Sequence, residues 1–282
     1  MSRVAYVNGR YVPFAQAQVH VEDRGYQFAD GVYEVCAVRS GKLIDEAPHL
    51  ARLARSLGEL RIAAPVAPAA LAHIMRETVR RNAVRDGLVY MQVTRGVARR
   101  DHPFPAKVKP SLVVTARNLA IEKYDVWAAS GVEVHSMPET RWARCDIKSV
   151  ALLPNVLAKQ SAREAGAYEA WFLDDEGYVT EGASTTAWIV DAAGVLRTRQ
   201  LDHRILPGVT RGELVAMCRQ LKIELAERPF TLAEAKAARE AFITAASIGV
   251  IPVVKIDGST IGNGRPGPVA ERLRAAYWAD RS

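Results

Sequence analysis

The sequence predicts an α+β protein with two domains, a smaller α/β domain at the N-terminus and a larger β-rich domain with helices at the C-terminus. Short apolar runs and amphipathic stretches alternate along the chain, as they do where strands and helices are mixed. The length of 282 residues is enough for two hydrophobic cores. A polar stretch near 119–130 interrupts the strand pattern. We therefore expect an N-terminal domain over 1–120, an interdomain linker over 121–130 and a C-terminal domain over 131–282.

The elements of the N-terminal domain follow from turn signals and from apolar spacing. Asn8-Gly9 lies between two alternating apolar runs, which is a strong hairpin signal, and Ser40-Gly41 interrupts a second such pattern. Beyond Pro48, leucines recur at helical spacing. The predicted elements are hairpins over 4–12 and 31–44, helices from about Pro48 and over 66–83, and strands over 88–97 and 111–118.

Strands outnumber helices in the C-terminal domain. Gly166 is a helix stop signal, and Asp175-Glu176-Gly177 joins two strand-like runs. The predicted elements are a strand over 132–137, a helix over 154–165, strands over 168–174 and 178–183, a hairpin over 184–198, a helix from Gly208-Val209, a helix over 232–239, a strand over 241–244, a hairpin over 251–261 and a C-terminal helix.

Composition and charge are those of an ordinary globular protein that does not bind nucleic acid. Hydrophobic residues make up 49% and charged residues 24% of the chain. The formal net charge is +7, but the basic residues are scattered, and the densest spots, Arg80–Arg81 and Arg99–Arg100, are only pairs. The excess of positive charge is compatible with an anionic cofactor and carboxylate substrates.

The cysteines and the apolar runs bear on the cellular compartment. Three cysteines without a CxxC pair argue against a disulfide scaffold and against a metal site, and they fit a reducing cytoplasm. No apolar run is long enough to span a membrane, and the N-terminus lacks the features of a signal peptide. We therefore expect a cytoplasmic protein with no metal and no membrane partner.

Lys148 and Glu181 are the two charged residues with the greatest catalytic interest. Lys148 follows a strand and precedes a helix among apolar neighbours, where a partly buried amine can act as a nucleophile. Glu181 lies between two strand-like runs, and a carboxylate there could pair with a protonated pyridine nitrogen. Taken alone, each residue fits the bland interpretation better, Lys148 as an exposed surface lysine and Glu181 as an exposed turn acid.

Two further segments are candidates for binding a phosphate group. Pro207-Gly208 leads into a helix whose N-terminus would offer the backbone N–H of Val209 and the hydroxyl of Thr210. Residues that only mark the beginning of a helix, with no binding role, would give the same pattern. The second candidate is Ser247, which follows a strand but stands in a stretch with few hydroxyl groups.

Taken together and in order, these segments resemble the fold-type-IV, branched-chain aminotransferase-like family of pyridoxal-5′-phosphate-dependent enzymes over nearly the whole chain. Within that resemblance, Lys148 is expected to bind pyridoxal 5′-phosphate and Glu181 to contact its pyridine nitrogen. Arg52, Thr210 and the Val209 amide are expected to hold its phosphate. The resemblance is carried by EDRGYQFADGVYEV (22–35), HLARLARS (49–56), QVTRGVARRDHPFP (92–105), IKSVALLPNVLAKQ (147–160), VTEGASTTAWIV (179–190), LPGVTR (206–211) and TAASIGVIPV (244–253).

Within this family, Arg100-Asp101-His102 resembles the Arg-x-His loop of D-amino-acid aminotransferases. In that subfamily the loop comes from the neighbouring subunit and traps the substrate carboxylate, so the resemblance implies a homodimer. A guanidinium offers a fork of donors to a carboxylate, and a nearby histidine adds another. Tyr33 matches the active-site tyrosine of the subfamily. A solvated basic loop is the alternative interpretation.

The expected reaction is transamination between D-amino acids, of the D-alanine or D-glutamate type, and 2-oxo acids such as 2-oxoglutarate or pyruvate. A branched-chain L-amino-acid or (R)-amine aminotransferase and a lyase of the aminodeoxychorismate type are alternatives on the same scaffold. A basic binding protein without catalytic activity is the alternative from another class.

Overall fold

The computed structural model describes residues 3–279 and 281 and divides the chain into two compact units. The first unit is Met1–Ala120 together with Ile147–Ala151, and the second is Ile121–Asp146 together with Leu152–Ser282. Each contains one sheet and several helices, which confirms the α+β class. The short segment 147–151 carries Lys148 and is counted with the first unit although most of its sequence neighbours belong to the second.

The segment expected to link two domains is mostly helical. Glu122–Ser130 forms a helix that ends at Gly131, whose φ of +74° suits glycine. Tyr124 is its only buried residue, so the sequence lacks the apolar stripe that usually reveals a helix. The contact pattern places this helix in the second unit. The domain bounds given by the sequence remain a prediction.

The first unit is an antiparallel sheet covered by two helices. Its strands lie in the order β2-β1-β6-β5-β3-β4. Asn8 and Gly9 take φ values of 46° and 99°, which is the backbone that a tight hairpin turn needs, and the predicted first hairpin is confirmed. The elements are β1 (Val4–Val7), β2 (Arg10–Pro13), α1 (Arg24–Phe28), β3 (Gly31–Arg39), β4 (Lys42–Leu43), α2 (Glu46–Glu59), α3 (Pro68–Arg81), β5 (Gly87–Thr94) and β6 (Ser111–Asn118).

The core of the first unit forms where the apolar faces of α2 and α3 meet the sheet. Leu53 and Leu57 of α2 and Met75 and Val79 of α3 are buried in one cluster with strand residues. Burying an aliphatic side chain of this size contributes roughly 1.5–3 kcal/mol. The helical spacing of the leucines beyond Pro48 therefore predicted this packing correctly.

The second unit is a mixed sheet in the order β12-β11-β10-β13-β14-β7-β8-β9, with β15 paired to β14. The β11–β12, β14–β7 and β7–β8 pairs are parallel and the other pairs are antiparallel. Its elements are α4 (Glu122–Ser130), β7 (Val132–Pro138), α5 (Leu153–Glu164), β8 (Glu169–Leu173), β9 (Val179–Gly182), β10 (Thr186–Val190), β11 (Leu196–Thr198), α6 (Val209–Gln220), β12 (Leu225–Glu227), α7 (Leu232–Lys236), β13 (Glu240–Ala245), β14 (Gly249–Ile256), β15 (Ser259–Thr260) and α8 (Pro268–Ala279).

Helices α6 and α8 cover the middle of this sheet. Leu214 of α6 and Leu273 of α8 are fully buried in one cluster with Trp188 and Phe242, whose rings stack at 5.6 Å. This packing fixes where α6 begins relative to the strand ends. No helix within 3–279 combines the length and the apolar character needed to cross a membrane.

Candidate active site

Lys148 is held beside Tyr33 by backbone pairing with the first residues of β3. The Tyr33 N–H donates to the Lys148 carbonyl at 3.0 Å, and the Val150 N–H donates to the Gly31 carbonyl at 3.0 Å. The Lys148 N–H in turn donates to Oγ of Ser56 on α2 at 3.3 Å. The main chain is therefore fixed on both sides, while the side chain of Lys148 is only half-buried.

The amine of Lys148 and the hydroxyl of Tyr33 form a pair that can exchange a proton. Nζ of Lys148 lies 3.3 Å from the Tyr33 hydroxyl oxygen. The Tyr33 ring stacks on Tyr90 at 5.6 Å, and the Tyr90 hydroxyl donates to Oε1 of Gln92 at 2.6 Å. Burial raises the pKa of Tyr90 to about 12, so this second phenol stays neutral and supports the first.

Arg52 is clamped by a buried glutamate that the sequence did not single out. Nε and Nη2 of Arg52 donate to the two carboxylate oxygens of Glu34 at 2.6 and 2.9 Å. Nδ1 of His49 lies 2.7 Å from Oε2 of the same carboxylate. Burial alone would raise the pKa of Glu34, but the hydrogen bonds from Arg52 and His49 hold it at about 2. This fixes the plane of the Arg52 guanidinium.

Glu181 is the second buried carboxylate, and it too is paired with an arginine. Nη1 of Arg141 donates to Oε1 of Glu181 at 2.5 Å, and the Leu206 N–H lies 3.2 Å from both carboxylate oxygens. Arg141 also donates to Glu139, from Nη2 at 2.6 Å and from Nε at 2.9 Å. Burial raises the pKa of Glu181 above its usual value, and the charge of Arg141 offsets only part of that effect.

The start of α6 carries donor groups that no described side chain caps. Gly208 caps the helix without a side-chain hydrogen bond, so the first backbone N–H groups, from Val209 onward, have no capping side chain. Oγ1 of Thr210 is buried and has no hydrogen-bond partner among the described residues. A buried hydroxyl without a partner costs about 1–3 kcal/mol, so a ligand oxygen placed here would be stabilising. Residues 209 and 210 thus form the phosphate candidate that the sequence predicted.

Ser247 lies near the same end of the second sheet. Thr186 at the start of β10 pairs with Thr244 near the end of β13, and Ser247 follows β13 in a short turn to β14. A Cβ added to Gly208 would lie 3.0 Å from Oγ1 of Thr186, so the start of α6 is close to this strand end. Ser247 is half-buried.

Arg100 and His102 lie in an exposed loop against α1. The guanidinium carbon of Arg100 is 4.8 Å from the centre of the Phe28 ring, and the His102 ring is 5.5 Å from it. Neither side chain makes a hydrogen bond to Lys148 or Tyr33 within the described part of the first unit. Both side chains are open to solvent in the single chain.

The expected site residues are divided between the units. The first unit holds Lys148, Tyr33 and Arg52 around one end of β3 and α2, with Arg100 and His102 in the loop against α1. The second unit holds Glu181, Val209, Thr210 and Ser247. Sequence reasoning missed Glu34, His49, Arg141 and Glu139. Arg141 and Glu139 are near neighbours in sequence, but Arg141 reaches Glu181 across 40 residues and Glu34 reaches Arg52 across 18. Among the residues at 3–279 and 281, no group of three or more His, Cys, Asp or Glu could hold a metal ion.

Comparison with known proteins identifies a family match over most of the chain. The family described as Amino-transferase class IV matches residues 31–256. A D-alanine aminotransferase of Bacillus licheniformis is 41% identical over 269 residues, which are 95% of this chain and 94% of that protein.

Solved structures show the same fold. A branched-chain amino acid aminotransferase of Escherichia coli superposes with a TM-score of 0.91 at 24% identity, covering 99% of this chain and 94% of that one. A branched-chain amino acid aminotransferase of the archaeon Thermoproteus uzoniensis, solved with norvaline, gives a TM-score of 0.86 at 26% identity, covering 98% of this chain and 94% of that one. Another enzyme of the same name, solved with pyridoxamine 5′-phosphate, gives a TM-score of 0.89 at 27% identity, covering 98% of this chain and 93% of that one.

Proposed function

This chain belongs to the class IV aminotransferases, and we propose that it transfers amino groups between D-amino acids and 2-oxo acids with pyridoxal 5′-phosphate as its cofactor. Similarity to the D-alanine aminotransferase of Bacillus licheniformis over 95% of the chain is the observation on which this substrate class rests. D-alanine is the expected donor, and pyruvate or 2-oxoglutarate the expected acceptor.

The donor groups of the chain fit the cofactor. Lys148 offers a half-buried amine for covalent attachment, and the clamped guanidinium of Arg52 suits a phosphate. The unpartnered hydroxyl of Thr210 and the N–H of Val209 at the start of α6 add neutral donors of the kind that phosphate oxygens accept. We assign Ser247 to the same phosphate group, because it lies near the same end of the second sheet.

Glu181 would hold the pyridine nitrogen. Its carboxylate is buried and carries few hydrogen bonds for a charged group, so a cationic N–H partner would stabilise its ionised form. When bound, the cofactor supplies an electron sink for the negative charge that develops at the substrate Cα. Arg141 and the Leu206 N–H keep the Glu181 carboxylate oriented.

Lys148 would also move the substrate proton. Its Nζ accepts the proton from Cα and later donates it, acting as a general base and then as a general acid. The Tyr33 hydroxyl, 3.3 Å from Nζ, holds the amine in place and can stabilise its charged form. Both side chains belong to the same part of the first unit, so this proton transfer needs no rearrangement of the main chain around them.

Arg100 and His102 would bind the substrate carboxylate, and this part of the function implies a homodimer. Both side chains are exposed and lie against Phe28 of α1 on their own chain, which suits a loop that serves a neighbouring subunit. Fixing the carboxylate determines which Cα–H faces Lys148, and thereby the D-configuration.

The three cysteines are free and buried, which supports a cytoplasmic location for the enzyme.

A panel of amino donors tests the function. Purified holoenzyme is given D-alanine, D-glutamate, L-leucine or an (R)-amine with a 2-oxo acid acceptor, and the amino acid product is measured. We expect turnover with D-amino acids and none in the Lys148→Ala variant, with Lys255→Ala, an exposed lysine on β14, as the active control. Preferred turnover of L-leucine or of the amine would overturn the D-amino-acid assignment, and pyruvate released without an acceptor would indicate a lyase.

A further inference from the structure

Arg24 is a buried charge that the proposed mechanism does not use. It is 3% exposed and lies at the start of α1. Its guanidinium has three directed hydrogen bonds. Nε donates to Oδ2 of Asp30 at 2.8 Å, Nη1 to the carbonyl of Asp101 at 2.6 Å, and Nη2 to the carbonyl of His102 at 3.2 Å. Two of the three bonds therefore reach a loop that is more than seventy residues away in sequence.

The two bonds from Arg24 reach a loop whose side chains are largely open to solvent. Residues 99–104 are all exposed. Besides Arg24, two ring contacts support the loop: Phe104 lies against Arg95 at 3.6 Å, and Phe28, one turn further along α1, lies below Arg100. The guanidinium carbons of Arg24 and Arg100 both lie 4.8 Å from the centre of its ring. The bonds from Arg24 go to main-chain carbonyls, so they fix the path of the loop without occupying the side chains of Arg100 or His102.

Asp30 holds the guanidinium of Arg24 in place and is itself held by Arg95. Oδ2 of Asp30 also accepts from Nε of Arg95 at 2.7 Å, and Oδ1 accepts from Nη2 of Arg95 at 2.9 Å. Arg95 is itself buried and donates to the carbonyls of Leu60 and Arg61. Burial alone would raise the pKa of Asp30, but the hydrogen bonds from Arg95 and Arg24 lower it, so the carboxylate stays ionised. Two guanidinium groups share this single carboxylate.

We propose that Arg24 is a positioning residue for substrate recognition, which fixes the loop of Arg100 and His102 through the carbonyl groups of Asp101 and His102. This inference rests on the proposed function, because it assumes that Arg100 and His102 bind the substrate carboxylate. A guanidinium suits the task because its planar fork can serve one carboxylate and two carbonyls at the same time. A lysine keeps the charge but cannot span the three acceptors in one fixed geometry.

Arg24→Lys in the holoenzyme is the variant that tests this role. The matched control is Arg197→Lys, the same change at an arginine that is 5% exposed and binds Glu234 and the Pro229 carbonyl in the second unit. We expect Arg24→Lys to raise the KM for D-alanine about tenfold, the equivalent of one lost hydrogen bond to a charged group, while kcat and cofactor affinity change little. The control should leave the KM near that of the parent.

Two further measurements separate positioning from a general loss of stability. Amide hydrogen exchange at Asp101, His102 and Phe104 should become faster in Arg24→Lys and stay unchanged in the control. Combined with Arg100→Ala, the Arg24→Lys change should cost less in kcat/KM than the product of the single effects, because it acts through the residue already removed. Equal falls of kcat/KM in both lysine variants, or full independence from Arg100→Ala, would contradict the inference.

The outcome for Arg24 is distinguishable from the outcome for the proposed function. If the parent enzyme uses D-alanine and Arg24→Lys keeps the parental KM, the positioning role is wrong and the function stands. If the parent does not use D-amino acids, the function is wrong and so is the role in recognising their carboxylate. Hydrogen exchange then reports only whether Arg24 holds the loop.

Discussion

Glu34 in the first unit and Glu181 in the second are both buried, and each is bonded to an arginine, yet their pKa values move in opposite directions. The pKa of Glu34 falls to about 2, although its burial alone would raise it. Burial raises the pKa of Glu181, and its arginine only moderates the rise. The difference lies in the hydrogen bonds that each carboxylate receives.

Glu34 receives a nearly complete set of strong donors. Two nitrogens of Arg52 and Nδ1 of His49 all lie within 2.9 Å of its oxygens. Glu181 has one short bond from Arg141 and a single N–H, from Leu206, shared at 3.2 Å by both oxygens. Arg141 is also divided between two carboxylates. Glu34, with its oxygens well supplied with hydrogen-bond donors, holds Arg52 in a fixed orientation. Glu181 receives fewer donors and can therefore accept a cationic ligand.

Replacing Glu34 by Gln should have the largest effect on the folded state. The change leaves the buried charge of Arg52 without its counterion, and breaking a buried ion pair costs about 3–5 kcal/mol. Urea unfolding of the holoenzyme measures the loss. The control is Glu59→Gln on α2, an exposed glutamate near Arg55, which should leave the free energy of unfolding almost unchanged. If Glu34→Gln and Glu59→Gln had the same free energy of unfolding, Glu34 would not be the stabilising partner of Arg52.

Acid should destabilise the protein through Glu34 in a defined pH window. Because its pKa in the folded state is about 2 and its ordinary value is 4.5, its contribution is complete above 4.5 and disappears as the pH falls toward 2. The loss amounts to about 3 kcal/mol at 1.36 kcal/mol per pKa unit. Glu181, with its raised pKa, acts in the opposite sense. The free energy of unfolding should therefore fall less steeply with decreasing pH below 4.5 in Glu34→Gln than in the parent.

Glu181→Gln should slow chemistry while the protein stays folded. Arg141 keeps Glu139 as its counterion in this variant, so the stability changes little, but the pyridine nitrogen loses its anionic partner. Loss of one such electrostatic contact slows the chemical step about 100-fold or more. The rate of the half-reaction with D-alanine, followed by the absorbance of the bound cofactor, gives the answer. A parental rate would make Glu181 a structural residue.

Arg52→Ala and Thr210→Ala should weaken cofactor binding to different degrees. A hydrogen bond to a charged group contributes roughly 1.5–3 kcal/mol, so losing the guanidinium should lower the affinity for pyridoxal 5′-phosphate about tenfold or more. Loss of the neutral hydroxyl in Thr210→Ala should lower this affinity by a smaller factor. Equilibrium binding to the apoenzyme measures both, with Arg55→Ala on the same helix as the control. If neither variant differs from the control, the phosphate is bound elsewhere.

Local features of the fold were predictable because they depend on neighbouring residues. The turn at Asn8-Gly9, the strand Ser111–Asn118 and the start of α6 at Val209 all follow from short signals. Helix α4 was missed, since a helix with one buried residue has no apolar periodicity to detect. Its polar composition was interpreted as a linker.

The supporting charges of the site could not be predicted from sequence, because their partners are far away along the chain. Arg141 and Glu181 are 40 residues apart, and Arg24 bonds to the carbonyl of Asp101, 77 residues away. When its distant partners are unknown, an arginine is expected at the surface. The family motifs made Lys148, Glu181 and Arg52 candidates, but they gave no reason to select the side chains bonded to Glu181 and Arg52.

Borohydride reduction followed by peptide mass spectrometry tests the central claim most directly. Reduction fixes the cofactor to the amine that carries it, so a tryptic peptide containing Lys148 should gain the mass of the pyridoxyl phosphate group. Treatment with D-alanine before reduction should abolish this label, because the amino group moves to the cofactor and frees the lysine. Treatment with L-alanine should leave the label in place. A label on another lysine, or one removed equally by both isomers, would contradict the account.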